Sequence, residues 1–224
     1  MILEIVTQTA DETAYAHQFG ADRVELVSAI TEGALTPTYG SVKTIKEDIH
    51  VPAFCMIRPH PYSFMYSDND IKEMMNDIVN QKPYASTFVL GCLDKNDEID
   101  EKTLAKLLSV VGDTPVTFHK AFDKTADFKK SVLTLAKYPQ VKRILTNFGI
   151  KNPSDNVEKI KENLAFCKEH GLTVTYAGGV NLDSLPILKQ AGVQEVHISS
   201  AARIDGLAKN QLDPKTIQAM AACK

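Results

Sequence analysis

The feature that most constrains this chain is an eightfold alternation. Short runs rich in β-branched residues recur along it, separated by longer stretches with the spacing of amphipathic helices. In one chain that rhythm signals repeated βα units and a parallel sheet. The strand candidates are Ile2–Val6, Arg23–Val27, Ala53–Ile57, Thr87–Gly91, Val116–His119, Arg143–Thr146, Thr173–Ala177 and Glu195–Ile198. The helical stretches are Asp11–Phe19, Tyr39–Asp48, Asp68–Gln81, Glu101–Val110, Ala126–Tyr138, Pro153–His170, Leu182–Gln190 and Pro214–Cys223. Ser67 or Asp68 can cap the third helix, and Gly20, Gly171 and Gly192 can take the left-handed conformation that stops one.

A doubly wound open sheet shows the same alternation. Eight units without a glycine-rich dinucleotide turn after the first strand favour closure into a ring. A (β/α)8 TIM barrel takes about 200 to 250 residues, so the 224 residues here predict a single barrel domain over 1–224, with no linker or low-complexity tract.

Charge and apolar content exclude several partners. The formal charge is −3, from 25 basic against 28 acidic side chains, with no basic block to neutralise a run of phosphates, so no nucleic-acid partner is expected. No apolar stretch approaches the roughly 20 residues that span a bilayer, so no membrane partner is expected either. The start, MILEIVTQTADE, lacks a basic region followed by an apolar one, and the expected location is cytoplasmic. Cys55, Cys92, Cys167 and Cys223 are scattered, which fits reduced thiols better than a disulfide framework or structural zinc.

Strand side chains alternate between faces, so in a barrel every second residue points into the lumen. Glu4 stands between Leu3 and Ile5; Arg23 shares a face with Glu25, Thr117 with His119, and Glu195 with His197 and Ser199. A carboxylate in a closed interior is costly unless paired or hydrogen-bonded, so these groups should converge on one another or on a ligand. Glu4 paired with Arg23 or Arg143 would serve as a structural network alone. Barrel enzymes place their sites at the carboxyl ends of the strands, where Glu25, Arg58, His119, His197 and the post-strand Asp94 would gather near Glu4. Lys120, of opposite parity to His119, is expected to face away from the lumen.

Two loops suggest an anion cradle. Gly178-Gly179 follows the seventh strand and Ser199-Ser200 the eighth, the positions where barrels often hold phosphate. Asn181 would begin a helix whose dipole favours negative charge, and Arg203 could complete the grip. Gly-Gly would serve equally well to make a tight turn without any ligand.

Seven segments then fall in order: GADRVEL at Gly20–Leu26, EGALTP at Glu32–Pro37, IRP at Ile57–Pro59, YSD at Tyr66–Asp68, VTFHKAFD at Val116–Asp123, RILT at Arg143–Thr146 and EVHISSA at Glu195–Ala201. Together they resemble the CutC family from the first strand to the eighth. The resemblance implies a cytoplasmic barrel associated with copper homeostasis, copper(I) binding in some members, and a homodimer or larger homo-oligomer. It brings no settled reaction. The family's usual cysteine after GADRVEL is Val27 here, and one that often precedes YSD is Met65.

Soft sulfur ligands select copper(I). A copper(I) site would therefore draw on Met65 and Cys92 with His119 or His197 as imidazole; Met56 is a further soft candidate, while the mid-strand Cys55 reads as packing. The alternative is a barrel isomerase, lyase or hydrolase acting on a small anionic or phosphorylated metabolite. There His119 or Glu25 would move a proton, and Arg58 or Arg203 would hold the anionic group.

Overall fold

The computed structural model describes residues 1–224. Eight parallel strands form a closed ring in chain order: β1 (Ile2–Thr7), β2 (Arg23–Leu26), β3 (Ala53–Met56), β4 (Thr87–Leu90), β5 (Val116–Phe118), β6 (Val141–Thr146), β7 (Thr173–Ala177) and β8 (Glu195–Ile198), with β8 pairing back to β1. The helices are α1 (Ala10–Gln18), α2 (Tyr39–Thr44), α3 (Asp68–Gln81), α4 (Glu101–Val111), α5 (Phe128–Ala136), α6 (Val157–Glu169), α7 (Leu185–Gln190) and α8 (Pro214–Cys223). The fold is thus the expected (β/α)8 TIM barrel. No helix is long and apolar enough to cross a membrane.

Capping starts α3 where the sequence predicts. The Ser67 side chain accepts from the Asp70 N–H, and Asp70 accepts from the Ser67 N–H in return. The clearest departure follows β7. Asn181 and Ser184 close a turn on each other, the Asn181 N–H donating to Ser184 Oγ and the Ser184 N–H to Asn181 Oδ1. Helix α7 therefore begins only at Leu185, and Asn181 does not start a helix aimed at an anion.

Strand register sorts the two faces. Leu3, Val24, Cys55, Phe88, Phe118, Ile144, Val174 and Val196 belong to a buried cluster of 50 residues that includes α3, α4 and α8 side chains, forming the layer between sheet and helices. The opposite parity fills the lumen: Glu4 lies level with Arg23 and His197, Val6 with Glu25, Glu25 with Phe54, and Thr175 with Glu195. The lumen is therefore two-sided. Val6, Val27, Phe54, Met56 and Val89 form an apolar patch with Ile30, while acids and bases from β1, β2, β6 and β8 fill the other side.

Arg23 holds that polar side together. Its Nε donates to Glu4 Oε2 at 2.5 Å, and its Nη2 donates to Glu195 Oε2 at 2.6 Å and Thr175 Oγ1 at 3.2 Å. Arg143 Nε also donates to Glu195 Oε2, at 3.2 Å. Both guanidinium carbons lie over the Phe54 ring, at 4.4 and 5.1 Å from its centroid, so each cation meets carboxylate at its edge and an aromatic face beneath.

Removing one partner of a buried ion pair costs about 3–5 kcal/mol, because the other charge is left uncompensated. Arg23→Met is accordingly expected to lower unfolding free energy by about that amount, measured by urea denaturation. A loss below about 1 kcal/mol would show the lumen tolerates bare Glu4 and Glu195.

Candidate functional site

A cavity of about 220 Å³ opens at the carboxyl ends of the strands, lined by Glu25, Arg58, Phe64, His119, Lys120, His197 and Ser199 among others. A larger open groove of about 790 Å³ runs along the flank beside α2 and α3. The chemistry belongs to the smaller one, because that is where buried ionisable groups from four strands meet.

His197 is built into the lumen network. Glu4 spends one oxygen on Arg23, and its Oε1 lies 2.8 Å from His197 Nδ1. Burial opposes charge on Glu4, but the His197 hydrogen bond and the Arg23 guanidinium outweigh it and hold the carboxyl down at about 2. An ionised carboxylate only accepts, so His197 Nδ1 carries the proton and donates. Its Nε2 turns to the mouth, 3.8 Å from Glu25 Oε2. Burial opposes the imidazolium, yet Glu25 and Glu4 raise the His197 pKa above its ordinary value.

Glu25 is the least satisfied acid of the set. It is 3% exposed, its Oε1 has no hydrogen-bond partner, and His197 is the one cationic group within 4.0 Å of it. Burial pushes its carboxyl up to about 7, with Glu4 adding to the effect and His197 opposing it.

His119 is set the opposite way. Its Nδ1 accepts from the Ala121 N–H at 3.2 Å, which places the neutral ring's proton on Nε2. That Nε2 is buried without a partner. Burial and then the Arg58 charge depress its pKa to about 3, so the ring is neutral at physiological pH. Gly91 makes room for it: a Cβ there would lie 2.5 Å from His119 Nδ1. Phe64 covers the ring at 5.0 Å between centroids, and the Arg58 guanidinium lies 4.7 Å from the Phe64 centroid. Arg58 is itself steered by donation to Gly33 O at 2.6 Å and Pro61 O at 3.0 Å.

The structure thus brings Glu4, Glu25, Arg58, His119, His197 and Ser199 to one end of the barrel and leaves other expected residues elsewhere. Asp94 lies outside the cavity, its carboxylate accepting from the Asn96 and Glu98 N–H groups in a surface turn. Arg203 is spent on a bidentate pair with Glu12, 3.0 Å on each side, and on the Val6 and Asn210 carbonyls. Gly178, Gly179 and Ser200 do not line the cavity. Gly179 is needed because a Cβ would lie 2.5 Å from Lys151 O, and Ser200 begins a 3-10 turn through Ala202. The expected phosphate cradle is not assembled.

Lys120 reverses another expectation. Strand β5 ends at Phe118, and Lys120 starts a 3-10 turn, so strand parity no longer governs it. Its Nζ bridges Asp123 Oδ2 at 2.5 Å and Ala177 O at 3.1 Å, at the cavity wall. Phe64 was equally hidden, since nothing in the spacing of a β3–α3 loop shows which residue folds inward.

Copper(I) does not fit these donors. Cys92 is buried in the outer layer, its Sγ facing Asp100 O at 3.5 Å, and burial raises its pKa further out of the thiolate range. Met65 is 51% exposed, and neither sulfur lines the cavity. Cys55 packs in the same outer layer, as expected, and Val27 sits in the apolar patch. The mouth offers carboxylate, imidazole and a single thioether, Met56 of the apolar patch, with no thiolate, whereas copper(I) selects soft sulfur.

Residues 1–202 match the model of the CutC family. A CutC family protein from Yersinia pseudotuberculosis is 34% identical over 90% of this chain and 79% of its own length. The human copper homeostasis protein cutC homolog is 32% identical, over 91% of this chain and 75% of its own. Among solved structures, a CutC protein from Streptococcus agalactiae superposes with a TM-score of 0.78 at 28% identity, covering 88% of this chain and 98% of that one. Phosphoribosyl anthranilate isomerase from Thermus thermophilus shares the fold, with a TM-score of 0.59 at 14% identity, covering 100% of this chain and 98% of its own. The chain belongs to the CutC family.

The depressed His119 pKa has a consequence for stability. The folded value, about 3, lies below the ordinary 6.5, so the native state refuses a proton that the unfolded state accepts. Its contribution is complete above about pH 6.5 and is lost as pH falls towards 3, by up to about 1.4 kcal/mol per pH unit. The stability difference between the native protein and His119→Gln should shrink across that window. Parallel pH profiles from chemical denaturation would contradict a buried, neutral His119.

Proposed function

We propose that this CutC-family chain is a barrel enzyme acting on a small, oxygen-rich anionic metabolite at the cavity bounded by Glu25, Arg58, His119, Lys120 and His197. The observation that carries this reading is the pair of unpartnered buried atoms there, Glu25 Oε1 and His119 Nε2. A buried polar atom without a partner costs roughly 1–3 kcal/mol. A substrate supplying an oxygen to one and a hydroxyl to the other would recover that.

Roles follow from polarity. Arg58 and Lys120 put positive charge beside the cavity and favour an anionic group. His119, neutral with its proton on Nε2, is a hydrogen-bond donor aimed at oxygen rather than a ready base. Isomerisation, aldol-type cleavage and hydrolysis all build negative charge on an oxygen, and a fixed N–H in a site shielded from water stabilises it. Glu25 presents the open acceptor for a substrate hydroxyl.

Copper(I) binding is the second reading, brought to this chain by the copper homeostasis name of its human relative. The scattered sulfur atoms support it poorly. Titration of the reduced protein against a strong copper(I) chelator should show no stoichiometric transfer, and saturable one-to-one binding would restore this reading.

Screening small sugar phosphates and hydroxy acids by thermal shift, then by turnover, tests the first. His119→Ala should lower kcat about 10²- to 10³-fold, whereas Lys120→Ala should act mainly on KM. A substrate processed normally by both variants would remove this cavity from consideration.

A further inference from the structure

In the lumen the carboxylates outnumber the guanidiniums. Three buried carboxylates, Glu4, Glu25 and Glu195, share it with two guanidiniums, Arg23 and Arg143. Both guanidiniums are committed to Glu4 and Glu195, so Glu25 is left facing His197 alone. Its Oε1 is buried and unpartnered, and no Lys or Arg nitrogen lies within 4.0 Å.

Beside it stands an imidazole prepared as a ligand. His197 Nδ1 donates to Glu4 Oε1 at 2.8 Å, which fixes the ring and leaves Nε2 facing Glu25 Oε2 across 3.8 Å. That gap is too long for a hydrogen bond. An ion about 2.1 Å from each atom would bridge it. A carboxylate on the far nitrogen of a histidine is the recurrent support of metal-binding imidazoles, orienting the ring and raising its basicity. Arg23, on the other oxygen of Glu4, anchors that support in turn.

We infer that Glu25 and His197 bind one hard-to-borderline divalent cation at the barrel mouth, with Glu4 as the positioning residue behind His197. Two protein donors leave the remaining coordination positions to water or to oxygens of a bound molecule, an arrangement that oxygen-preferring divalent ions accept. The donor set of oxygen and imidazole nitrogen selects ions of the manganese(II) or zinc(II) kind and disfavours copper(I). This goes beyond the proposed activity: it requires no substrate, and either can fail alone.

Manganese(II) is the probe. Chelator-treated, metal-free protein is titrated with manganese(II), and free ion is followed by its electron paramagnetic resonance signal. The account expects one site per chain and a rise in thermal midpoint on saturation. Glu25→Gln, near in shape but uncharged, should weaken binding at least tenfold, and Glu4→Gln should weaken it roughly 10- to 100-fold through His197. Asp94→Asn, in the surface turn, should change nothing. If Glu25→Gln does not fold, native protein still decides: zinc(II) must displace the manganese(II), and copper(I) presented by its chelator must not. No saturable manganese(II) binding up to millimolar concentration, or binding untouched by Glu25→Gln, overturns the inference.

Discussion

The Glu4, His197 and Glu25 side of the mouth depends on one arginine in the lumen. Closing eight strands into a ring leaves an interior that side chains must fill, and here one side of that filling is charged. Arg23 makes it possible by binding Glu4 and Glu195 at once while lying flat on Phe54. Because Glu4 is held on one side by Arg23, its other oxygen is fixed for His197, and His197 in turn faces Glu25. The site is the upper end of a structural ion network, so stability and function share the same residues.

The division of the lumen explains the character of the cavity. Val6, Val27, Phe54, Met56 and Val89 keep one wall dry. Against that wall, charges on the other side are poorly screened, which is why Glu25 and His119 depart so far from ordinary titration in the neutral direction while Glu4, fully paired, departs in the ionised one. Two histidines at one mouth consequently present different faces. His119 offers a proton on Nε2, whereas His197 keeps its proton on Nδ1 for Glu4.

How much of this could be read from sequence follows from how local each signal is. Alternation with period two placed Glu4, Arg23, Glu25, His119 and His197 on one surface before any coordinates, because strand parity is a property of the backbone. The Glu4–Arg23 pair was legible as a network for the same reason, whereas Arg143, the other partner the sequence offered Glu4, binds Glu195 instead. Parity fails once a strand ends. Lys120, one residue past His119, turns back to the cavity because a 3-10 turn begins there, and Asp94 and Arg203 leave it because surface turns and Glu12 claim them. The Gly178-Gly179 pair marked a real constraint, the close approach of Gly179 to the Lys151 carbonyl, and not an anion. Membership of the CutC family carries the fold and the family's association with copper homeostasis, but Cys55 and Cys92 are placed as packing and Met65 lies exposed, away from the cavity.

The most direct test is the proton arrangement of the two histidines, read from long-range nitrogen–proton correlations of the imidazoles at neutral pH. The account requires His119 to be neutral with its proton on Nε2, and His197 to carry a proton on Nδ1. A His119 that is protonated at neutral pH, or carries its proton on Nδ1, would contradict it. So would a His197 whose Nδ1 is bare.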